Sequence, residues 1–434
     1  MGQTLPGFRE FYPEDCITRN FIFQIFRQTI HRFGFEEFDG PLLEPLELFT
    51  AKSGDEIVSQ LFCFIDRGGR EVALRPELTP TLTRMVVTRL ATLKRPIRWF
   101  NIGEHFRYER PQKGRLRSFY QMNVDILCET SIRCDGELIF ILIQLLQAFG
   151  LTADDFSLRI SDRHLWVLFL EQFAMDGSQI SQILTAIDRF EEGNEEIFER
   201  KISKIAPDCG NRLCDEILQL RQCKDLHSLK RFFPNPREGE RIAQWETLFR
   251  LFDAMQLNDY VAIDFGIVRG LAYYTGFVFE AYERHGQSRA LAGGGRYDNL
   301  AEKLYGTPMA ACGFAIGDVT LENLLRARHL IPGPKPSIQI FAIFDSATEM
   351  EALAICAKLR QRNIATIYDF SDGTSFAKQL KRAGKSGACF ALFIGTTEVK
   401  TGQFFLKNLL TGEGESLSLD EILNRFSASG CLAK

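Results

Sequence analysis

The 434-residue chain reads as an α+β protein: an antiparallel sheet with flanking helices and a helical insertion, followed by a smaller α/β domain. Three observations predict this. Residues 1–330 interleave strands and hairpins with helices, without a regular βαβ rhythm. Residues 173–250 interrupt that pattern with a helix-rich, charged stretch such as "IDRFEEGNEEIFERKISKI", expected to be an insertion between sheet strands. Beyond the proline-studded "IPGPKPS" (331–337), a βαβαβ rhythm runs to about residue 425, as a partly parallel sheet requires. The expected boundaries are 1–330, a linker at 331–336, and 337–434.

Each element has a local reason. Phe21, Ile22, Ile25, Phe26 and Ile30 recur at helical spacing over 15–34, and Gly34 closes the helix. Pro41 and Pro45 in "FEEFDGPLLEPLELF" forbid a helix and favour extended chain. "QLFCFIDRGGREVALRPELTP" predicts two strands around Gly68-Gly69, then a helix from about Thr79. "IRWFNIGEHFRYER" and "SFYQMNVDILC" form a second strand–loop–strand unit, and "DGELIFILIQLLQAFG" a buried helix stopped by Gly150. Strands resume with "YVAIDFGIVRGLAYYTGFVFEAYE" and "ALAGGGRYDNL". In the last domain "IQIFAIF", "IATIYDF" and "CFALFIG" are strands, with helices at 347–362 and 374–385.

With 52 basic and 56 acidic residues the net charge is −4, which excludes a uniformly basic nucleic-acid binder and makes any anion site local. Eleven cysteines include no CxxC pair, so free thiols are expected and no metal held by protein side chains. No stretch has the length of a membrane span and "MGQTLPGFREFYPED" is no secretory signal, so the reading is a cytoplasmic protein with no membrane partner.

The local anion site has a clear candidate. "FRYERPQKGRLRSFYQ" sets Arg107, Arg110, Lys113, Arg115 and Arg117 against Glu109, and closes on Phe119, Tyr120 and Gln121. A solvated hairpin tip accounts for charge alone. Arginines that fork onto phosphate oxygens beside an aromatic face account for more. Arg107 and Glu109 alternate as on a strand, Gly114 permits a turn, and Phe119, Gln121 and Asp125 share one face of the next strand. "LRPELTP" puts Arg75, Glu77 and Thr79 at strand period, and "VRGLAYYTG" sets Arg269 beside Tyr273 and Tyr274. "RAGKSG" is no P-loop, because Gln379 stands where its first Gly belongs.

Taken in order, "GFREFYPED", "LRPELTP", "FRYERPQKGRLRSFYQ", "VRGLAYYTG", "AGGGRYDNL" and "GFAIGD" resemble the histidyl-tRNA synthetases, a family of class II aminoacyl-tRNA synthetases. The likeness extends through "YDFSDGTSFAKQLKRAGKSGACFALFIG". It implies a six-stranded antiparallel catalytic sheet, a C-terminal anticodon-binding domain, and a homodimer formed around Pro41. It implies joining of L-histidine to tRNA(His) with ATP and Mg²⁺, through a histidyl-adenylate. Arg107, Gln121 and Arg269 would then be catalytic. Histidine would be held by Glu77, Leu78, Thr79, Arg107, Gln121, Asp125, Arg269, Tyr273 and Tyr274, and ATP by Arg107, Glu109, Arg115, Phe119 and Arg269.

Three positions depart from the family pattern: Thr320 where an Arg normally meets ATP, Ala272 for a usual Asp, and Cys128 for a common Gly. The rival reading is a paralogue that senses histidine as a regulatory subunit of ATP phosphoribosyltransferase. Such paralogues typically lack the C-terminal domain and erode the motif arginines. This chain has the domain, Arg107, Arg269 and both tyrosines.

Overall fold

The computed structural model describes all residues except 1–3, 51–58, 113, 191–192, 270–272, 286–288, 334–337, 372 and 428–434. The chain divides into two compact units, Met1–Pro332 and Gly333–Lys434. Half of the expected linker, 334–336, falls outside the described residues.

In the first unit, short strands β1 (Glu36–Glu37), β2 (Leu43–Pro45), β3 (Phe62–Ile65) and β4 (Glu71–Leu74) precede the long hairpin β5 (Ile97–Phe106) and β6 (Ser118–Leu127). Next come β7 (Phe156–Asp162), β8 (Val261–Ile263), β9 (Phe277–Glu283), β10 (Ala292–Arg296) and β11 (Ala311–Gly317). They form an eight-stranded sheet ordered β1-β5-β6-β11-β10-β9-β7-β8, while β2-β4-β3 make a separate small sheet. The six inner strands are antiparallel throughout. Only the short edge strands β1 and β8 add parallel pairings.

Strand β6 explains how the sheet places the site. Met122, Val124 and Ile126 alternate into the larger core, which also takes Phe26 and Ile30 from helix Pro13–His31 and Leu138, Leu142 and Leu146 from helix Ile132–Ala148. Gln121, Asn123 and Asp125 therefore face the other side, next to a smaller core with Leu82, Val86, Tyr273, Tyr274 and Tyr297. The helix Ile132–Ala148 is apolar on nearly every face because it is covered on nearly every face, and Gly150 follows it with φ 90°.

The helical insertion begins earlier than its charge pattern suggested. Asp162, the last residue of β7, caps helix Arg163–Glu171 by accepting from the His164 and Leu165 amides. Its other oxygen accepts from Arg241 Nε at 2.6 Å and Trp245 Nε1 at 2.8 Å, which ties the helix Pro236–Ala254 back to the sheet. Cys128 takes the left-handed backbone that a glycine would adopt freely, φ 64°. The described cysteines are all free.

In the second unit, β12 (Ile340–Phe344), β13 (Thr366–Tyr368) and β14 (Phe390–Ile394) are parallel, and β15 (Gln403–Asn408) and β16 (Gly414–Ser418) continue the sheet antiparallel. Helices Glu349–Gln361 and Phe376–Ala383 are the crossovers of the expected βαβαβ pattern.

Candidate active site

Two connecting chambers lie over the glycine-rich middle of the large sheet. The inner one, about 370 Å³, is lined by Glu77, Thr79, Arg107, Gln121, Asp125, Arg269, Tyr273 and Tyr274, together with Asn123 and Tyr297. The outer one, about 580 Å³, shares Arg107, Glu109, Arg115, Gln121 and Arg269 and adds Phe119, Arg289 and Thr320. The chain thus brings together every side chain expected to meet histidine or ATP, with one exception. Leu78 is 1% exposed and lines neither chamber; its carbonyl accepts the Leu82 amide at the start of helix Thr79–Arg89.

Glycine makes room for the charged groups. A Cβ on Gly293 would stand 1.5 Å from Arg269 Nη1, and one on Gly313 would stand 1.9 Å from Asp125 Oδ1. Two adjacent strands, β10 and β11, must lack side chains there for Arg269 and Asp125 to lie across the sheet.

The inner chamber holds charge at a cost that a ligand can relieve. Glu77 is 5% exposed; Tyr273 donates its hydroxyl to one carboxylate oxygen at 2.9 Å, while the other is buried with no partner. Burial raises the Glu77 carboxyl above its ordinary range, although Tyr273, Arg107 and Arg269 oppose that shift. Asp125 receives the Tyr297 hydroxyl at 2.6 Å, and burial pushes its carboxyl up to about 7. Burial likewise raises the phenols of Tyr273, Tyr274 and Tyr297, so they remain neutral donors.

Arg269 has left-handed backbone, φ 58°, which a residue with a Cβ adopts at some cost. Its Nη1 donates to Glu280 at 2.8 Å, its guanidinium lies 5.4 Å from the Tyr274 ring centre, and its Nε is buried without a partner. Burial works against its charge, but Tyr274 and Glu280 outweigh that and raise its pKa. Ala272 lies outside the described residues.

The basic loop sorts its cations by task. Arg107 anchors Nε on the Pro76 carbonyl at 3.0 Å and lies 5.2 Å from the Phe119 ring centre. Arg115 pairs with Glu109 across a turn in which Gly114 has φ 77°. Arg117 turns away, onto the Tyr108 ring at 4.3 Å and the Glu109 carbonyl at 3.0 Å. Arg110 is exposed, and Lys113 lies outside the described residues.

Two of the expected strand alternations are absent because the strands end first. Strand β4 ends at Leu74, so Arg75 does not share a face with Glu77; buried at 1% exposure, it donates to Glu104 O, Gly40 O and Asp39 Oδ1. Strand β5 ends at Phe106, so Arg107 and Glu109 reach the site from a turn, where the Glu109 amide bonds the Arg107 carbonyl at 2.8 Å. Sequence reasoning also missed Tyr297, Glu280 and Asp188, which line the inner chamber from β10's end, β9 and an insertion helix. It missed His105, which stacks on Phe119 at 6.0 Å. Burial and the cations Arg75 and Arg107 keep His105 neutral. Only Tyr297, inside "AGGGRYDNL", carried a sequence signal.

Cys134, Asp135 and Cys312 cluster behind the sheet in a way that superficially suits a metal. A guanidinium already fills the cluster: Arg296 reaches Cys134 Sγ at 3.0 Å and Asp135 through two nitrogens.

A six-stranded antiparallel sheet, an arginine-bearing hairpin loop over a glycine-lined floor, and a second sheet domain define a class II aminoacyl-tRNA synthetase. The family description "Histidyl-tRNA synthetase" matches residues 7–321, and "Anticodon binding domain" matches residues 337–429. The histidine–tRNA ligase of Opitutus terrae is 47% identical over 414 residues, covering 94% of each chain. That of Pyrococcus horikoshii is 33% identical, covering 98% of each. The crystal structure of histidyl-tRNA synthetase from Nostoc sp. PCC 7120 shares the fold, with TM-score 0.79 at 24% identity over 98% of this chain and 99% of that one. The chain belongs to the histidyl-tRNA synthetase family.

Proposed function

We infer that this protein joins L-histidine to tRNA(His) at the expense of ATP, and that the two chambers divide the substrates. The observation that carries this reading is the unpartnered Glu77 oxygen, buried a few residues from Thr79 and facing the space that Arg107 and Arg269 also line. An α-amino acid matches that arrangement: its ammonium satisfies Glu77 and Thr79, and its carboxylate meets Arg269 and Gln121. Its imidazole then reaches Asp125 and the tyrosines, polar groups that an aliphatic side chain would leave unpaired.

The carboxylate of histidine must attack the α-phosphorus of ATP, and the two are anions. Arg107 and Arg269 stand between the chambers, where they offset that repulsion and the charge of the transition state. One bond forms from carboxylate oxygen to phosphorus as the bond to the bridging oxygen breaks and pyrophosphate leaves. Phe119, braced by neutral His105, offers its face to the adenine, and Arg115 with Glu109 meets the phosphates. A terminal ribose hydroxyl of tRNA then takes the acyl group and releases AMP. Mg²⁺, a hard ion that prefers oxygen donors, would travel with the triphosphate, and Glu109 and Glu280, held here by Arg115 and Arg269, are chamber carboxylates that would exchange those partners to complete its shell. Bound there, it would neutralise phosphate charge.

The second unit, from about residue 337, is proposed to read the anticodon. Its exposed Lys378 and Lys381 share a helix face, while Arg382 is held by Asp369 and Ser371. A homodimer in the cytoplasm completes the proposal. Leu42, Leu43, Phe64 and Ile65 are between 42% and 69% exposed on and beside the small sheet near Pro41, an apolar surface that a second copy would cover. Among the described residues, no helix is long and apolar enough to cross a membrane. The test is transfer of labelled histidine to a tRNA(His) transcript. Charging supports the ligase; binding of histidine without any charging would favour a histidine-sensing regulator instead.

A further inference from the structure

Among the described residues, the outer chamber holds one cation that the resemblance does not assign. Arg289 lines it, lies two residues before Leu291, whose amide is fixed to the Ala281 carbonyl at 2.7 Å, and is exposed. The other three arginines there are committed: Arg115 to Glu109, Arg269 to Glu280, and Arg107 to the Pro76 carbonyl and the Phe119 ring. Arg289 makes no hydrogen bond or ion pair with any described residue. Across the chamber, position 320 carries a neutral Thr where the family pattern has an arginine that meets ATP, and the loop turn approaches it: a Cβ on Gly114 would stand 3.5 Å from Thr320 Cγ2. Two acids that border the chamber already have partners other than Arg289, Glu280 in Arg269 and Tyr282 and Asp318 in Arg9.

We propose that Arg289 binds the β- and γ-phosphates of ATP and supplies the charge that Thr320 does not. The location argues for the phosphates distant from the reaction. Arg289 and Thr320 line the outer chamber alone, whereas Arg107 and Arg269 border both and so stand nearer the α-phosphate. A guanidinium with no partner among the described residues gives up none of their bonds when it forks onto a phosphate. The assignment rests on the ligase reading, as a deeper account of its ATP site.

The test compares ATP with AMP by calorimetry and follows histidine-dependent pyrophosphate exchange, for the wild type, Arg289→Ala and Arg289→Lys. Charge-assisted hydrogen bonds of ordinary strength predict ATP affinity reduced about ten- to a hundredfold in Arg289→Ala. AMP affinity and the KM for histidine should stay unchanged, and Arg289→Lys should recover part of the loss. Unchanged ATP affinity would overturn the assignment, as would equal weakening of ATP and AMP, which would put the guanidinium on the nucleoside. A wild type that binds ATP but exchanges no pyrophosphate would remove the ligase reading, while the ATP-to-AMP comparison would still decide the role of Arg289.

Discussion

Replacing Glu77 by Gln changes one oxygen to nitrogen at nearly constant volume, in a position where both carboxylate oxygens have separate jobs. One accepts the Tyr273 hydroxyl at 2.9 Å and the other is buried without a partner. If that second oxygen takes the ammonium of histidine, the variant loses a charge-assisted hydrogen bond in a site that is 5% exposed. Such bonds are worth roughly 1.5–3 kcal/mol, so the Kd for histidine should rise about ten- to a hundredfold. Calorimetry with L-histidine and its des-amino analogue isolates the effect. The analogue has no ammonium, so its affinity should not fall. Stability should move the other way. Burial raises the Glu77 carboxyl in the folded state, so the native protein holds its proton more tightly than the unfolded chain does. Its contribution is present below the ordinary carboxylate range and is lost as pH rises through the folded pKa. Glu77→Gln, which cannot ionise, should therefore melt higher than the wild type at pH 8, and the gap should narrow in acid. Equal histidine affinity in variant and wild type would refute the assignment.

Three further outcomes are expected. Arg269→Ala should fold normally yet slow single-turnover adenylate formation by roughly 2–4 kcal/mol of transition-state stabilisation; an unchanged rate would release Arg269 from the chemistry. Asp125, whose burial pushes its carboxyl up to about 7, should accept an imidazole N–H more strongly when ionised, so histidine binding should weaken as pH falls through about 7. Asp125→Asn should lose the part of that dependence which is not histidine's own titration, as a calorimetric pH series would reveal. Ending the chain at Pro332 should spare pyrophosphate exchange but severely impair tRNA charging and flatten the salt dependence of tRNA binding. The oligomeric state of the truncated chain should be measured alongside.

The features legible in the sequence were those written in local pattern. The alternation of Gln121, Asn123 and Asp125 against Met122, Val124 and Ile126 separates site from core along a single strand. The apolar run of helix Ile132–Ala148 and the βαβαβ rhythm after the prolines follow the same logic. Edge strands β1 and β8, two and three residues long, are too short to carry a pattern, so the two parallel pairings could not be read. Arg75 and the pair Arg107–Glu109 were misplaced because the strands end one residue before each. Period-two reasoning assumes that the strand continues. Tyr297, Glu280 and His105 owe their roles to partners 172, 11 and 14 residues away, Asp125, Arg269 and Phe119, and no local period encodes such meetings.

On the proposed function, one pocket activates histidine and no other amino acid. Exchange of labelled pyrophosphate into ATP, measured across a panel of amino acids without tRNA, tests it most directly. The arrangement of Glu77, Asp125, Arg269 and the tyrosines predicts exchange that depends on histidine, with leucine and phenylalanine near background. No exchange with any amino acid, or exchange with leucine or phenylalanine at rates near that of histidine, would contradict it.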